Sequence, residues 1–364
     1  MDYKNKQYRI LLTGGGTGGS VAPLLAVYDE LKKDEGKFEF FWLGTKFGPE
    51  REMVEKAGIK FKAISGGKWR RYFSFKNLVD IFKIKLGFFE ALFIMLKWRP
   101  DLVISAGSFV SVPIVWAAWV LRVPVLIHQQ DIIPGLANKL MATFADIITV
   151  TFEKSLKDYG KKAIWIGNPV RQRLQLATRN SQLATEYKFN NNLPVVLVLG
   201  GGTGAEAINK LVEESLGELT KFCQITHVTG KNKLNKSYEL RVTGYENYEF
   251  LDAERMAEAL KVADLVITRA GLGFLSELSY LGKPSIIIPM PDSHQEANAE
   301  FFKSKKAAIV IEQKYLTAES FTHMTKDLLA DEKMRGQLSI NMRNAMKQGA
   351  NEEMVKIIDE IVKK

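Results

Sequence analysis

Two glycine-rich turns carry the clearest chemistry in this chain. Thr13-Gly14-Gly15-Gly16-Thr17-Gly18-Gly19-Ser20 follows the apolar run Tyr8–Leu12, and Gly200-Gly201-Gly202-Thr203-Gly204-Ala205 follows Pro194–Leu199. Each precedes a helix-like stretch, Val21–Leu31 and Ala205–Leu216. A glycine turn between strand and helix presents backbone N–H groups at a helix N-terminus, where the dipole also favours negative charge. Phosphate suits such a device, and two turns imply two phosphate-bearing substrates. A single turn of this kind serves tight packing about as often; the pair, one per half, favours ligand binding. A dinucleotide site would need an acid at the end of the second strand, about 20 residues past the turn. Phe38–Leu43 runs instead into Gly44-Thr45-Lys46, so a nicotinamide cofactor is disfavoured.

The elements that would position these turns alternate along the whole chain. Strands are expected in the first half at Tyr8–Thr13, Phe38–Leu43, Lys60–Ile64, Leu102–Ser105, Val123–His128, Ile147–Thr151 and Ala163–Ile166. In the second half they are expected at Val195–Leu199, Gln224–Val228, Glu249–Leu251, Leu265–Thr268, Ser285–Pro289 and Ala308–Ile311. Continuous Val/Ile/Leu runs indicate parallel strands buried on both faces, with helices between them. The expected fold is α/β of the GT-B kind: two tandem doubly wound parallel sheets facing an interdomain cleft. The domains would be 1–165 and 166–345. A last helix within 346–364 could cross back to the first domain. The polar stretch Leu174–Asn192 reads as part of the crossover.

Bulk properties narrow the class. Apolar residues make up 46% and charged ones 25%, a globular composition. One cysteine excludes a disulfide framework and fits a reducing cytoplasm. Four histidines leave little for a Cys/His metal site, and no Asp-x-Asp motif occurs, so neither metal nor cofactor is expected. The apolar stretch Leu86–Leu96 contains Glu90 and is too short to span a bilayer. Much of the net charge of +10 lies between Lys60 and Arg99. There Lys68, Arg70, Arg71, Lys83 and Lys85 interleave with Trp69, Phe73, Phe82, Phe89 and Phe93. That pattern fits a surface lying on anionic lipid, against the plainer reading of a helix with core aromatics and solvated lysines. No nucleic-acid-binding motif accompanies the charge.

The ordered motifs resemble the MurG-type transferases, which add N-acetylglucosamine to an undecaprenyl-linked muramyl-pentapeptide. The resemblance covers nearly the whole chain. Besides the two turns it rests on Arg70-Arg71-Tyr72-Phe73, His128-Gln129-Gln130-Asp131, Pro134-Gly135-Leu136-Ala137-Asn138-Lys139, Gly167-Asn168-Pro169-Val170-Arg171, Arg269-Ala270-Gly271, Ser276-Glu277-Leu278 and His294-Gln295-Glu296-Ala297-Asn298. It implies a UDP-N-acetylglucosamine site in the second half. Glu277, on a helix opened by Ser276-Glu277, would hold both ribose hydroxyls, since a carboxylate accepts from a diol at two oxygens. Leu272, Gly273 and Phe274 would offer N–H groups to the diphosphate, with Gly202, Thr203 and Arg269 beside them. Arg171 would reach the nucleotide from the crossover, Leu251 and Met256 would frame the uracil, and His294 and Gln295 would hold the sugar.

On the acceptor side the resemblance places Thr17, Gly18, Gly19, Ser20, Phe109 and Asp131. The family usually carries histidine at Ser20, tyrosine at Phe109 and asparagine at Asp131. The implied reaction inverts the anomeric centre and needs one general base. Asp131 and Glu50 are the candidates, with Ser20 the third residue of the catalytic set. Asp131 could instead cap a helix beginning near Pro134. The enzyme would work peripherally on the cytoplasmic face of the bacterial plasma membrane, on an undecaprenyl-diphosphate-linked acceptor and with no nucleic acid. A transferase for a different lipid, a nucleotide-sugar 2-epimerase and an inactive binding protein are the other readings.

Overall fold

The computed structural model describes residues 6–16, 18–48, 50–67, 75–171, 193–202, 204–233 and 242–364; of 75–79 it describes the backbone alone. The chain divides into two compact units, Met1–Arg171 with Lys347–Lys364, and Gln172–Met346. Thr17, Thr203, Lys68–Phe73 and the stretch Leu174–Asn192 lie outside the described residues.

In the first unit, β1 (Tyr8–Thr13), β2 (Phe38–Gly44), β3 (Lys60–Ala63), β4 (Leu102–Ser105), β5 (Val125–Gln129), β6 (Ile147–Val150) and β7 (Ala163–Trp165) form one sheet. Its order is β3-β2-β1-β4-β5-β6-β7, with every neighbouring pair parallel. The connecting helices are α1 (Ala22–Leu31), α2 (Glu50–Lys56), α3 (Phe75–Trp98), α4 (Ser111–Val120), α5 (Leu136–Ala142) and α6 (Leu156–Tyr159). In the second unit, β8 (Val195–Leu199), β9 (Gln224–Val228), β10 (Tyr245–Tyr248), β11 (Leu265–Thr268), β12 (Ser285–Ile287) and β13 (Ile309–Val310) are also all parallel. Their order is β10-β9-β8-β11-β12-β13. The helices here are α7 (Glu206–Leu219), α8 (Ala253–Val262), α9 (Leu272–Leu281), α10 (His294–Ser304), α11 (Ala318–Ala330) and α12 (Glu332–Ala345).

This is the pair of doubly wound parallel sheets expected from the apolar runs. Every residue of β4, β5, β8 and β11 is buried, as central strands covered on both faces require. One expected strand fails: Glu249–Leu251 is not a strand, and the edge strand is β10, just before it. The sequence Tyr-Glu-Asn-Tyr is polar because an edge strand is covered less completely, so a search for apolar runs passes it over.

The order in which strands are added switches sides at β1 and again at β8, since each pairs with strands leading to opposite edges. Ligands bind at the carboxyl ends of strands beside such a switch point. Both glycine turns stand there.

The C-terminal helix α13 (Ala350–Val362) starts after Gly349, whose φ of +82° suits glycine. Its Met354, Ile357, Ile358 and Val362 enter the β1–α1 core, and Lys37 Nζ meets Asp359 at 3.0 Å. Helix α3 carries two apolar faces. Ala91, Ile94 and Met95 enter the core, whereas Phe82, Leu86, Phe89, Phe93 and Leu96 form an exposed stripe. No described helix is long and apolar enough to cross a membrane.

Candidate active site

In the second unit the turn after β8 folds tightly. Gly204 N–H donates to Gly201 O at 3.0 Å. A Cβ at Gly204, where φ is +72°, would stand 2.1 Å from Thr229 O, so only glycine lets the turn close against the end of β9. Behind it, Asn209 of α7 donates to Thr229 O at 3.0 Å and bonds His227 Nε2 at 3.1 Å. His227 Nδ1 meets the Tyr245 hydroxyl at 3.0 Å. Burial pushes His227 down to about 4, so the ring is neutral at physiological pH. Neither Asn209 nor His227 stands in any of the sequence motifs. Their signal is only a polar residue on an apolar helix face opposite a polar residue in an apolar strand.

A cavity of about 590 Å³ opens beside this turn, lined by Gly200, Gly204, Lys210, Arg269, Met290 and Gln295 among others. Arg269 is buried, and its Nη1 donates to Ile288 O at 3.1 Å and Pro289 O at 2.9 Å. Its Nη2 donates to Gln313 Oε1 at 2.6 Å. Burial lowers its pKa, but a guanidinium stays charged. Neutral acceptors alone hold it among the described residues, so the cavity has a net cation in its wall. Gln295 Oε1 accepts from Ala270 N at 3.2 Å and Met290 N at 3.1 Å. Its amide hydrogens are then what it can offer a ligand. Asn298 donates to Ala270 O at 3.2 Å, holding the turn that leads into α9. His294 is exposed at the first position of α10.

Helix α9 begins at Leu272 after Gly271, with no side-chain cap. Phe274 N–H already bonds Gly271 O at 3.2 Å. Leu272 and Gly273 are the first two residues of the helix, and their N–H groups have no intrahelical acceptor. Ser276-Glu277 therefore does not open the helix but lies in its second turn, where Ser276 Oγ bonds Leu272 O at 2.7 Å. The three apolar residues after Gly271 already have helical geometry, which the motif-based boundary missed. Glu277 is half-buried. Gly202 is exposed at the turn; Leu251 is buried just before α8 and Met256 half-buried on it. Arg171 closes the first unit.

The turn after β1 is built differently. Gly15 N–H donates to Ser20 Oγ at 3.1 Å, and Gly16 N–H to Glu50 Oε2 at 3.1 Å. Glu50 is fully buried, and its Oε1 also accepts from Thr45 N at 2.9 Å and from the Thr45 hydroxyl. A Cβ at Gly15 would lie 2.4 Å from Glu50 Oε1, so the carboxylate and the glycine need one another. Glu50 is thus a brace between the turn and the β2–α2 loop. Among the described residues the Gly18 and Gly19 N–H groups find no protein acceptor.

Around β5, His128 is fully buried between Thr149 Oγ1 at 3.0 Å and Asn168 Oδ1 at 2.7 Å. Burial lowers its pKa to about 4. Gln129 Nε2 donates to Asp131 O at 2.6 Å, while its Oε1 accepts from Asn138 and from the Tyr159 hydroxyl at 3.0 Å. Asp131 is half-buried. It does not cap the following helix: α5 starts at Leu136, its cap position is Gly135, and no side chain caps it. Phe109 packs onto the α4 core cluster.

Two doubly wound sheets with phosphate-type turns at their switch strands define the GT-B fold, shared by glycosyltransferases and nucleotide-sugar epimerases. The chain belongs to glycosyltransferase family 28, whose N-terminal domain matches residues 10–150 and whose C-terminal domain matches residues 195–361. A relative from Clostridium kluyveri is named UDP-N-acetylglucosamine–N-acetylmuramyl-(pentapeptide) pyrophosphoryl-undecaprenol N-acetylglucosamine transferase. It is 39% identical over 88% of this chain and 91% of its own length. A transferase of the same name from Legionella pneumophila strain Paris is 37% identical over 96% of each chain. Among solved structures, MurG of Acinetobacter baumannii matches with a TM-score of 0.73 at 24% identity, over 97% of this chain and 99% of that one. UDP-GlcNAc 2-epimerase from Neisseria meningitidis bound to UDP-GlcNAc matches with a TM-score of 0.71 at 13% identity, over 97% and 100%. Those two likenesses bear on the fold alone.

Proposed function

We propose that this glycosyltransferase moves N-acetylglucosamine from UDP-N-acetylglucosamine to a lipid-linked muramyl-pentapeptide, the step that completes the disaccharide unit of peptidoglycan. The observation that carries the reading is the cavity at the second glycine turn, with Arg269 in its wall, in a chain 37–39% identical to transferases of that name.

Glu277 accepts the ribose hydroxyls, and the Leu272 and Gly273 N–H groups with Arg269 take the charge that grows on the diphosphate as it leaves. Gln295 and His294 orient the sugar. The acceptor hydroxyl gives its proton to Asp131 as its oxygen bonds the anomeric carbon. The bond from that carbon to the UDP oxygen breaks with inversion. Asp131 is preferred to Glu50 because it is half-buried just past the carboxyl end of β5, whereas Glu50 is fully buried as the brace of its own turn. The undecaprenyl-diphosphate acceptor would sit by Gly18 and Gly19. The exposed stripe of α3 would lie on anionic lipid at the cytoplasmic face of the membrane.

The test is product analysis with UDP-N-acetylglucosamine and a panel of lipid acceptors. A β-linked disaccharide on the muramyl-pentapeptide lipid is expected. A UDP-sugar epimer formed without acceptor, or transfer only to another lipid, would overturn the reading. Asp131→Asn should keep donor binding and lower turnover roughly 100-fold. A fully active variant would remove Asp131 from the mechanism.

A further inference from the structure

A second cavity, of about 550 Å³, lies in the first unit between α5 and α6. That volume is ordinary for a small-ligand site, roughly 300–1,000 Å³. Three exposed lysines line it, Lys139, Lys154 and Lys157. None makes an ion pair among the described residues, although lysines elsewhere on this protein commonly do, as Lys32, Lys33 and Lys221 show. Asp158 is the one carboxylate in the lining. The rest is apolar or aromatic, Ile132 and Tyr159 included. Lys139 ends the motif that begins at Pro134, whereas Lys154 and Lys157 belong to none of the motifs.

The groove is tied to the acceptor side by hydrogen bonds. Tyr159 in its lining donates to Gln129 Oε1 at 3.0 Å, and Gln129 Nε2 donates to Asp131 O at 2.6 Å. An occupant touching Tyr159 is therefore two hydrogen bonds from the backbone of the proposed base. We infer that this groove binds the peptide of the acceptor, with its C-terminal carboxylate on Lys154 and Lys157 and its alkyl side chains against Ile132 and Tyr159. The inference rests on the proposed function, since the muramyl-pentapeptide supplies the peptide. A peptide joined to the sugar through its N-terminus keeps a free carboxylate at its far end. Unpaired ammonium groups beside apolar surface suit a short chain of that kind. A lipid surface is the lesser fit: the exposed apolar stripe is on α3, while these lysines line a concavity bonded to the Gln129–Asp131 segment.

The experiment measures KM for three acceptors with the same lipid diphosphate and muramyl sugar: pentapeptide with a free C-terminal carboxylate, its C-terminal amide, and no peptide. The native enzyme should favour the acid over the amide by about 10-fold, the size of one charge-assisted hydrogen bond. In K154Q/K157Q that ratio should fall close to one, with KM for the donor unchanged. A native ratio near one, or a ratio kept in the variant, overturns the inference. So does a loss equal on all three acceptors that follows reduced vesicle binding, which would assign the lysines to lipid headgroups. Transfer by the native enzyme to none of the three would defeat the proposed function itself, and this inference with it.

Discussion

The two glycine turns look alike in sequence and are held in opposite ways. In the first, side chains fill the turn: Ser20 takes Gly15 N–H, and Glu50 takes Gly16 N–H. In the second, support comes from behind, through the Asn209–His227 network, and the front opens onto a cavity with Arg269 in its wall. A glycine-rich turn after a strand is therefore not by itself a count of available donors. The first has committed two of them to its own fold and leaves Gly18 and Gly19. The second leaves its front to a ligand.

The largest test of that difference is Glu50→Ala. It strands Gly16 N–H and Thr45 N–H around a new void and leaves the Thr45 hydroxyl only Phe47 O as acceptor. The expected cost is about 4 kcal/mol of stability in the first unit, from two part-buried N–H groups left unpaired and the void left by a fully buried side chain. Urea unfolding should show it, while UDP-sugar binding by the second unit should hold. A stable Glu50→Ala protein that has lost only turnover would restore Glu50 as a base and erase the contrast.

Next comes Glu277→Ala, which should weaken UDP-N-acetylglucosamine binding by about 3 kcal/mol, the loss expected when bound hydroxyls lose a charged acceptor. Calorimetry is the readout. Unchanged affinity would place the nucleotide somewhere other than the α9 start.

These two glutamates also mark what was legible in the sequence. The sheets were, because β4, β5, β8 and β11 are continuous apolar runs that tolerate little else. Part of the wall of the cavity at the second turn was legible too, because Arg269 and Gln295 stand in short motifs past strand ends. The bracing contacts of Glu50 were not legible, since nothing local says that a carboxylate at a helix start will turn back onto a glycine loop 34 residues earlier. The Asn209–His227 bond joins a helix to a neighbouring strand, a pairing that only the sheet order creates. The groove between α5 and α6 escaped notice for the same reason: Lys139 and Lys154 line it from separate elements.

In one respect the units match, and pH tests it. Each buries one neutral histidine, His128 and His227, both with pKa lowered by burial to about 4. An unfolded histidine titrates near 6.5. Between the two values the unfolded state holds more protons, so stability is full above about 6.5 and falls as pH drops toward 4. At pH 5 the expected loss is on the order of 2 kcal/mol per histidine. Urea midpoints for both units should fall together from pH 7 to pH 5, and His227→Asn should flatten the slope of the second unit alone. A flat profile in native protein would mean the rings are not buried neutral.

The smallest effect concerns a face that, among the described residues, the first unit alone carries. On α3 the exposed positions 82, 86, 89, 93 and 96 recur at helical spacing, and Phe93 is 70% exposed. An apolar stripe of that length on a water-facing helix asks for a cover. Lysines flank it: Lys83 pairs with buried Asp80 at 3.3 Å, and Lys85 lies 5.9 Å over the Phe82 ring. Each base near an anionic surface adds about 1 kcal/mol to membrane affinity. Reversing both to glutamate should cut binding to anionic vesicles by 10-fold or more, and salt should weaken the native protein's binding in the same way. Because K83E would also set a carboxylate against Asp80, Lys83→Gln with Lys85→Gln is the companion variant, expected to lose about half as much binding energy with the helix intact. Binding that ignores lipid charge would leave the phenylalanine stripe as the whole contact. No binding at all would mean that something other than lipid covers it.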